Sequence, residues 1–282
     1  MKKILIIGAK GMLGQQLIEV FGEDKNYQVI GWGKEEIDIT NFDQIREKIS
    51  AERPDIIINC AAYNNVDGCE ENEELANLIN GYAVGCLAKI SQEIGTLLIH
   101  YSSGYVFDGS KEGYIEDDKP QPISKYALSK YLGEKELTRE NKKFYLIRTN
   151  LLFGPGALTP GAKKSFVDLI LDLAEVRDSF KFVTDEISNP TYVVDLAEVT
   201  KKLIEEKYPF GIYHLVNDGQ ASWYDWAKEI FRLEKIEKKI IPIKAEEYPR
   251  PAKRPKNSVL LNTKFPKLRS WQEALASYLQ KR

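Results

Sequence analysis

Cysteine, histidine and methionine are scarce in this 282-residue chain, which has three, two and two of them respectively. The odd set Cys60, Cys69 and Cys86, each in a segment that reads as core or helix, excludes a disulfide framework and fits reduced, buried thiols in the cytoplasm. With only His100 and His214, and neither a Cys-x-x-Cys nor a His-x-x-x-His spacing, no metal site of the zinc type is expected. An excess of one charge is missing as well: 40 Lys and Arg against 42 Asp and Glu leave a net charge of -2. No global field is therefore available for a nucleic-acid backbone or an anionic membrane. No apolar run approaches the roughly 18 residues of a membrane span, and Gly8 and Lys10 break the run at residues 4–7 short of a signal-peptide core. A cytoplasmic protein with neither nucleic acid nor membrane as partner is expected.

What is present is a folding composition, 43% hydrophobic and 29% charged. Short apolar runs alternate with amphipathic ones: strands at 3–7, 28–31, 55–60, 97–101 and 144–148, and helices at 12–21, 42–51, 71–94 and 124–139. Ile56-Ile57-Ile58 is apolar on both faces, as in a parallel sheet covered by helices on each side. The pattern predicts an α/β chain with a Rossmann-type doubly wound parallel sheet. After Thr149 it loosens: Phe153-Gly154-Pro155-Gly156 and Thr159-Pro160-Gly161 punctuate a loop. Helices follow at 164–176, 192–206, 223–233 and 271–281, a strand at 211–215, and four prolines between 242 and 255. We expect a nucleotide-binding domain at 1–150 and a smaller C-terminal substrate-binding lobe at 151–282, some of whose elements return to the sheet.

Gly8-Ala9-Lys10-Gly11-Met12-Leu13-Gly14 follows the first strand and opens the first helix. Such a turn lets backbone N–H groups and the positive helix end approach a dinucleotide pyrophosphate; the alternative is a turn that needs glycine only for packing. At the end of the second strand, where an acid would bind a free ribose 2′-hydroxyl, stands Gly31-Trp32-Gly33-Lys34. Lys34 either neutralises a 2′-phosphate or is a solvated loop lysine beside Glu35 and Glu36. The first option favours NADPH, with NADH left open. Asp38 and Ile39 are placed to flank the adenine.

Tyr126 and Lys130 lie one helical turn apart, so phenol and ammonium leave on one face. A nearby cation lowers a phenol from its usual value of about 10, which would let it exchange a proton with a carbonyl oxygen at neutral pH. Upstream, at the carboxyl end of a buried-looking strand, Tyr101-Ser102-Ser103-Gly104-Tyr105 offers a hydroxyl donor, and strand alternation favours Ser103. Gly turn, Ser103, Tyr126 and Lys130 together make a hydride-transfer set; the pair alone is equally an ordinary surface pairing.

Residues 54–67 (Pro-Asp-Ile-Ile-Ile-Asn-Cys-Ala-Ala-Tyr-Asn-Asn-Val-Asp), Tyr105-Val106-Phe107-Asp108-Gly109, residues 189–197, Gly211-Ile212-Tyr213-His214-Leu215 and Arg254-Pro255-Lys256-Asn257-Ser258-Val259-Leu260 come in the order of a known family. With the pair above, the chain resembles the extended short-chain dehydrogenase/reductases, and within them the dTDP-4-dehydrorhamnose reductases. The resemblance implies reduction of a nucleotide-linked 4-keto-6-deoxy sugar by NADPH or NADH, giving dTDP-L-rhamnose. It implies that Gly11, Met12 and Leu13 lie over the pyrophosphate, that Gly8 and Gly14 shape the turn, and that Asp38 and Ile39 bracket the adenine. Ala62, Tyr63, Asn64 and Tyr101 would line the nicotinamide half. Tyr126 would be the proton donor, Lys130 would hold the nicotinamide ribose and lower the Tyr126 pKa, and Ser103 would polarise the carbonyl. Ser103, Gly104, Leu151 and Arg254 fall at substrate positions, and Asn80 at one used for a structural or proton-relay role, with helix packing as its alternative.

Two departures stand out. Where the family writes an acid after Ser-Thr, this chain has Gly104, and where it writes Arg-Thr-Ser-Trp this chain has Arg148-Thr149-Asn150-Leu151, losing stacking worth on the order of 1 kcal/mol. These leave open another extended short-chain enzyme of a different nucleotide sugar, or a non-catalytic NADP-binding protein like the regulatory subunit of methionine adenosyltransferase. Trp223 and Trp226 read as core, with sugar stacking the alternative. Arg250, Lys253 and Arg254 either meet the substrate diphosphate or form a solvated linker. The acidic run Asp67, Glu70, Glu71, Glu73 and Glu74 suits a helix start better than a metal. Some family members carry magnesium at a dimer interface; nothing in this sequence assigns one, and a homodimer stays open.

Overall fold

The computed structural model describes residues 1–158 and 164–282; the loop signal at Thr159-Pro160-Gly161 lies outside the described residues. The first half alternates as the pattern predicts: β1 (Lys2–Ile7), α1 (Met12–Gly22), β2 (Tyr27–Trp32), α2 (Phe42–Glu52) and β3 (Ile56–Asn59). Short helices α3 (Gly68–Glu71) and α4 (Glu73–Asn77) then lead through a π turn at Leu78–Tyr82 into α5 (Ala83–Ile94), β4 (Leu97–Ser103), α6 (Lys125–Glu140) and β5 (Phe144–Thr149). The second half holds β6 (Leu152–Phe153), α7 (Phe166–Val176), β7 (Ser179–Val183), β8 (Ile187–Ser188), β9 (Thr191–Tyr192), α8 (Val193–Glu205) and β10 (Gly211–His214). It closes with β11 (Ala221–Ser222), α9 (Trp223–Leu233), β12 (Lys239–Ile243) and α10 (Trp271–Lys281). Among the described residues no helix is long and apolar enough to cross a membrane.

Six parallel strands form the main sheet in the order β10-β5-β4-β3-β1-β2. Alternate side chains feed two cores. Ile4, Ile6, Ile56, Ile58, Ile99 and Ile147 pack under α1 and α8, while Leu5, Ile7, Ile57, Leu98 and Leu146 pack with Ile45, Val84, Leu87 and Leu137 of α2, α5 and α6. That is why these runs are apolar at every position. Strand order reverses between β1 and β3, and the crevice outside their carboxyl ends is where such sheets receive ligands.

β10 joins the sheet beside β5, and α8 packs on α1, so residues 193–214 belong to the sheet layer and residue 150 is not a clean boundary. The rest of the second half has its own core, with Phe153, Ile170, Phe180, Trp226, Phe231, Trp271 and Leu275. Trp226 is fully buried there and Trp223 stacks on it at 5.8 Å, which makes both packing residues. The helix expected at 71–94 is interrupted at Asn72 (φ −125°, ψ 51°) and then runs without a gap from Glu73 to Ile94, widened by the π turn that holds the buried Asn80. The parallel pair β7 and β12 and the two-residue strands were not legible in the sequence.

Candidate active site

The glycine turn forms the floor of a cleft of about 680 Å³ beyond β1, β2 and β3. Of the expected cofactor residues, Gly8, Gly11, Lys34, Asp38, Ile39, Ala62, Tyr63 and Asn64 line it. Gly8 has φ +81°, and a Cβ there would sit 2.8 Å from the Ala61 nitrogen and 2.9 Å from the Cys60 carbonyl carbon; only glycine is free in both respects. A Cβ at Gly14 would lie 2.3 Å from the Gly8 carbonyl oxygen, so that glycine lets α1 seat against the turn. Gly11 is the N-cap of α1 without a side-chain cap, and no acid stands in the first turn. The first-turn N–H groups are thereby left for an anion, and the cradle fits a pyrophosphate. Met12 and Leu13 turn their side chains into the core and can offer only backbone to the cleft.

Asp38 is turned into its own loop, where Oδ1 accepts from Thr40 Oγ1 at 2.7 Å and from the Thr40 N–H at 2.9 Å; these bonds hold its carboxyl below the usual range. Glu36 accepts from the Gly33 N–H at 2.7 Å, and Lys10 makes an ion pair with Glu35 at 2.9 Å, so a second cation stands beside Lys34 at this end of the cleft. Lys10 was overlooked in the sequence although it lies inside the glycine turn. Cys60, Leu75 and Ile79 also line the cleft. The first follows the carboxyl end of β3 and the others are spaced as one helix face, so both signals were available.

Ser103 ends β4, and its Oγ accepts from the Tyr105 N–H at 3.2 Å. Tyr126 is in the first turn of α6, which starts where Ser124 caps the Ala127 N–H and the Glu70 carboxylate accepts from the Lys125 N–H at 2.9 Å. Glu70 and Glu73, the latter paired with Lys125 at 2.7 Å, thus serve a helix start. The Ser103 hydroxyl lies near the Tyr126 phenol, whose ionised form it would stabilise. Lys130, one turn on and buried, donates from Nζ to the Tyr101 carbonyl at 2.6 Å.

The electrostatics differ from the sequence expectation. Burial pushes the Tyr126 phenol well above its ordinary value, with the nearby Ser103 hydroxyl opposing, and does not leave it lowered by Lys130. Burial in turn lowers the Lys130 ammonium to about 8, with the Glu134 carboxylate holding it up. The physical reason is that both groups lie behind the strand end, out of water, where the neutral form of each is favoured. A phenol kept protonated at neutral pH is in the state a proton donor needs.

Asn80 pins this assembly, accepting from the Tyr63 N–H at 2.8 Å and donating to the Tyr63 carbonyl at 3.1 Å and to Ser129 Oγ at 2.9 Å. The tie joins the cleft loop to α6. Tyr101 itself packs its ring in the core and bonds Thr200 through its hydroxyl at 2.8 Å, so the expectation that it lines the nicotinamide half narrows to its carbonyl on Lys130.

The substrate positions are also revised. Leu151 takes a left-handed φ of +40° and packs, half-buried, against the core of the second half. Gly104 is closed in by Asn150, so an acid has no room there while Asn150 stays. Arg254 is neither at an open anion site nor in a solvated linker. Its guanidinium grips Asp67 bidentately, at 2.6 and 2.7 Å, and that partner holds the Asp67 carboxyl down at about 2. Arg250 grips Glu186 in the same way. The segment is a strap tied at both arginines. Tyr105, which sequence reading missed, is influenced by the charges of both ion pairs, and its ring meets Tyr126 edge-on at 6.1 Å. Among the described residues no three His, Cys, Asp or Glu side chains converge as metal ligands.

The chain is 37% identical to the spore coat polysaccharide biosynthesis protein SpsK of Bacillus subtilis, over 100% of this chain and 98% of that protein. It is 36% identical to a dTDP-4-dehydrorhamnose reductase of Aggregatibacter actinomycetemcomitans, over 98% and 97%. A dTDP-4-dehydrorhamnose reductase from Bacillus anthracis, solved in complex with NADP, superposes with a TM-score of 0.93 at 35% identity, covering 100% of this chain and 99% of that one. The family model of the RmlD substrate binding domain matches residues 1–282, and the chain belongs to that family.

Proposed function

We propose that the protein is an NADPH-dependent reductase of a nucleotide-activated 4-keto-6-deoxy sugar, a dTDP-4-dehydrorhamnose reductase that makes dTDP-L-rhamnose. The observation that carries the reading is Ser103 at the end of β4 near Tyr126 of α6, with Lys130 one turn further along and held on the Tyr101 carbonyl, beside a cleft whose glycine turn suits a dinucleotide. The relatives named for this reaction, and the one solved with NADP, support the choice of sugar and cofactor.

Gly11, Met12 and Leu13 hold the pyrophosphate through backbone N–H groups, with Gly8 and Gly14 shaping the turn. Lys34, with Lys10 beside it, meets the 2′-phosphate, Asp38 and Ile39 flank the adenine, and Ala62, Tyr63 and Asn64 line the nicotinamide half. Lys130, fixed by the Tyr101 carbonyl, holds the nicotinamide ribose. When bound, the dinucleotide supplies the hydride that reduces the keto carbon. The Ser103 hydroxyl polarises the keto oxygen, and Tyr126 gives that oxygen its proton as negative charge develops on it. Residues 1–150 serve the cofactor, and the second half, apart from α8 and β10, supplies the substrate side. A cytoplasmic setting is part of the proposal, on the unpaired state of Cys60, Cys69 and Cys86.

Incubation with NADPH and dTDP-4-dehydro-L-rhamnose, followed at the nicotinamide absorbance, tests the reading: consumption dependent on the sugar is expected. Tight NADPH binding without consumption would overturn it in favour of a non-catalytic binding protein.

A further inference from the structure

We infer that Asn150 is a positioning residue of this reaction: its amide fills the space that glycine leaves at 104 and ties the Ser103 turn to the strap segment around Ser258. The inference rests on the proposed reductase for its kinetic consequence, but its geometry stands alone.

Gly104 is not required by its backbone angles, since it is not among the glycines of positive φ. It is required by space. A Cβ there would lie 2.6 Å from both Asn150 Nδ2 and Asn150 Oδ1, and 2.9 Å from the Ser258 carbonyl oxygen. Such distances cannot be absorbed without moving the amide or the strap. The amide uses the space fully. Oδ1 accepts from the Gly104 N–H at 3.1 Å, and Nδ2 donates to the Ser258 carbonyl at 2.7 Å and to Asn189 Oδ1 at 3.5 Å.

Each partner leads to a different part of the site. The Gly104 N–H follows Ser103, whose Oγ accepts from the Tyr105 N–H and whose hydroxyl lies near Tyr126. Ser258 is fastened to the second half through its N–H on the Ile187 carbonyl at 2.9 Å and its hydroxyl with Ser188 Oγ at 2.9 Å. Asn189 Oδ1 also accepts from the Leu260 N–H at 2.8 Å. The neighbouring hydroxyls make no such ties, since Ser102 Oγ and Thr149 Oγ1 are buried without a hydrogen-bond partner among the described residues. The left-handed Leu151 directly after Asn150 is strained for a leucine, and strain of this kind persists where surrounding contacts fix the backbone. Asn150 is 4% exposed and so acts on the reacting groups through the turn, not by touching substrate.

A double-mutant cycle tests this with Gly104→Ala, Asn150→Ala and the double variant, each measured for kcat and KM with the keto sugar, for NADPH affinity and for urea stability. Each single change is expected to lower kcat about tenfold or more, with the NADPH Kd within about twofold of wild type, since the cleft is lined by other residues. In the double variant Gly104→Ala is expected to add less than about twofold, because the amide it would strike is gone. Losses that multiply in the double variant, an NADPH Kd that rises in proportion as kcat falls, or lost urea stability with unchanged kcat would each overturn the assignment. Should Asn150→Ala fail to fold, Asn150→Ser closes the same cycle, with Gly104→Ala again expected to be tolerated better in its presence. If the wild type does not turn over the sugar, the reductase reading fails by itself, and the cycle in urea still decides the coupling of 104 to 150.

Discussion

Replacing Glu134 by glutamine removes one charge from a pair that the structure buries almost completely. Arg148 and Glu134 have side chains 2% and 4% exposed, and the guanidinium meets the carboxylate at 2.9 and 2.7 Å. Arg148 also donates to the Glu116 carbonyl at 3.3 Å and lies 5.0 Å over the Phe107 ring, so it has no route to water when its partner is neutralised. Leaving one charge of such a pair unmatched costs about 3–5 kcal/mol. At roughly 2–4 °C per kcal/mol for chains approaching this size, the melting temperature should fall by about 6–20 °C. The control lies on the same helix: Glu136 pairs with Arg139, whose side chain is 65% exposed, and Glu136→Gln should cost no more than about 1 kcal/mol. A second consequence concerns catalysis. Glu134 holds up the Lys130 ammonium, which burial has already lowered to about 8. A lysine is charged below its pKa, so if the charge on Lys130 is needed, activity falls as pH rises through about 8 in the wild type. In Glu134→Gln that alkaline limb moves to lower pH. Thermal unfolding and the pH profile of kcat/KM are the assays. A Glu134→Gln protein no less stable than Glu136→Gln, or an alkaline limb that stays in place, would refute the reasoning.

Tyr126→Phe should lower kcat at least about a hundredfold, the usual worth of a general acid, while NADPH affinity stays within about twofold; full activity removes Tyr126 from the mechanism. Gly8→Ala combines a positive φ, costing about 1–2 kcal/mol, with contact against the backbone of residues 60 and 61, and NADPH binding by calorimetry should weaken about tenfold or more. Unchanged affinity would mean that the turn is not the cofactor cradle. Lys34→Ala should raise the KM for NADPH severalfold more than that for NADH; equal changes would reject the 2′-phosphate assignment.

The sheet and its two helix layers were legible because Ile56-Ile57-Ile58 and its counterparts are apolar at every position, a pattern that a parallel sheet with two covered faces demands. The start of α6 was legible for a local reason too, since Ser124 and the Tyr-x-x-x-Lys spacing are one-turn signals. The π turn was not, because Asn80 is drawn inward by Tyr63 and Ser129, partners that no local period announces. Residues 239–243 received no strand assignment, because Pro242 interrupts the apolar run, although an edge strand such as β12 tolerates it. The strap arginines were misread for a similar reason: Asp67 and Glu186, which hold them, are distant in sequence, and charge alone does not reveal which carboxylate lies opposite. The pKa of Tyr126 was misjudged because the spacing to Lys130 is a matter of helix geometry, whereas burial is decided by the whole fold.

The most direct test of the central claim is isotopic. With NADPH deuterated at the transferable position of the nicotinamide and dTDP-4-dehydro-L-rhamnose as acceptor, the product should be dTDP-L-rhamnose carrying deuterium at C4 of the sugar, read by mass and NMR spectra. Sugar recovered without deuterium at C4, or deuterium placed there in a product of the opposite configuration, would contradict the account.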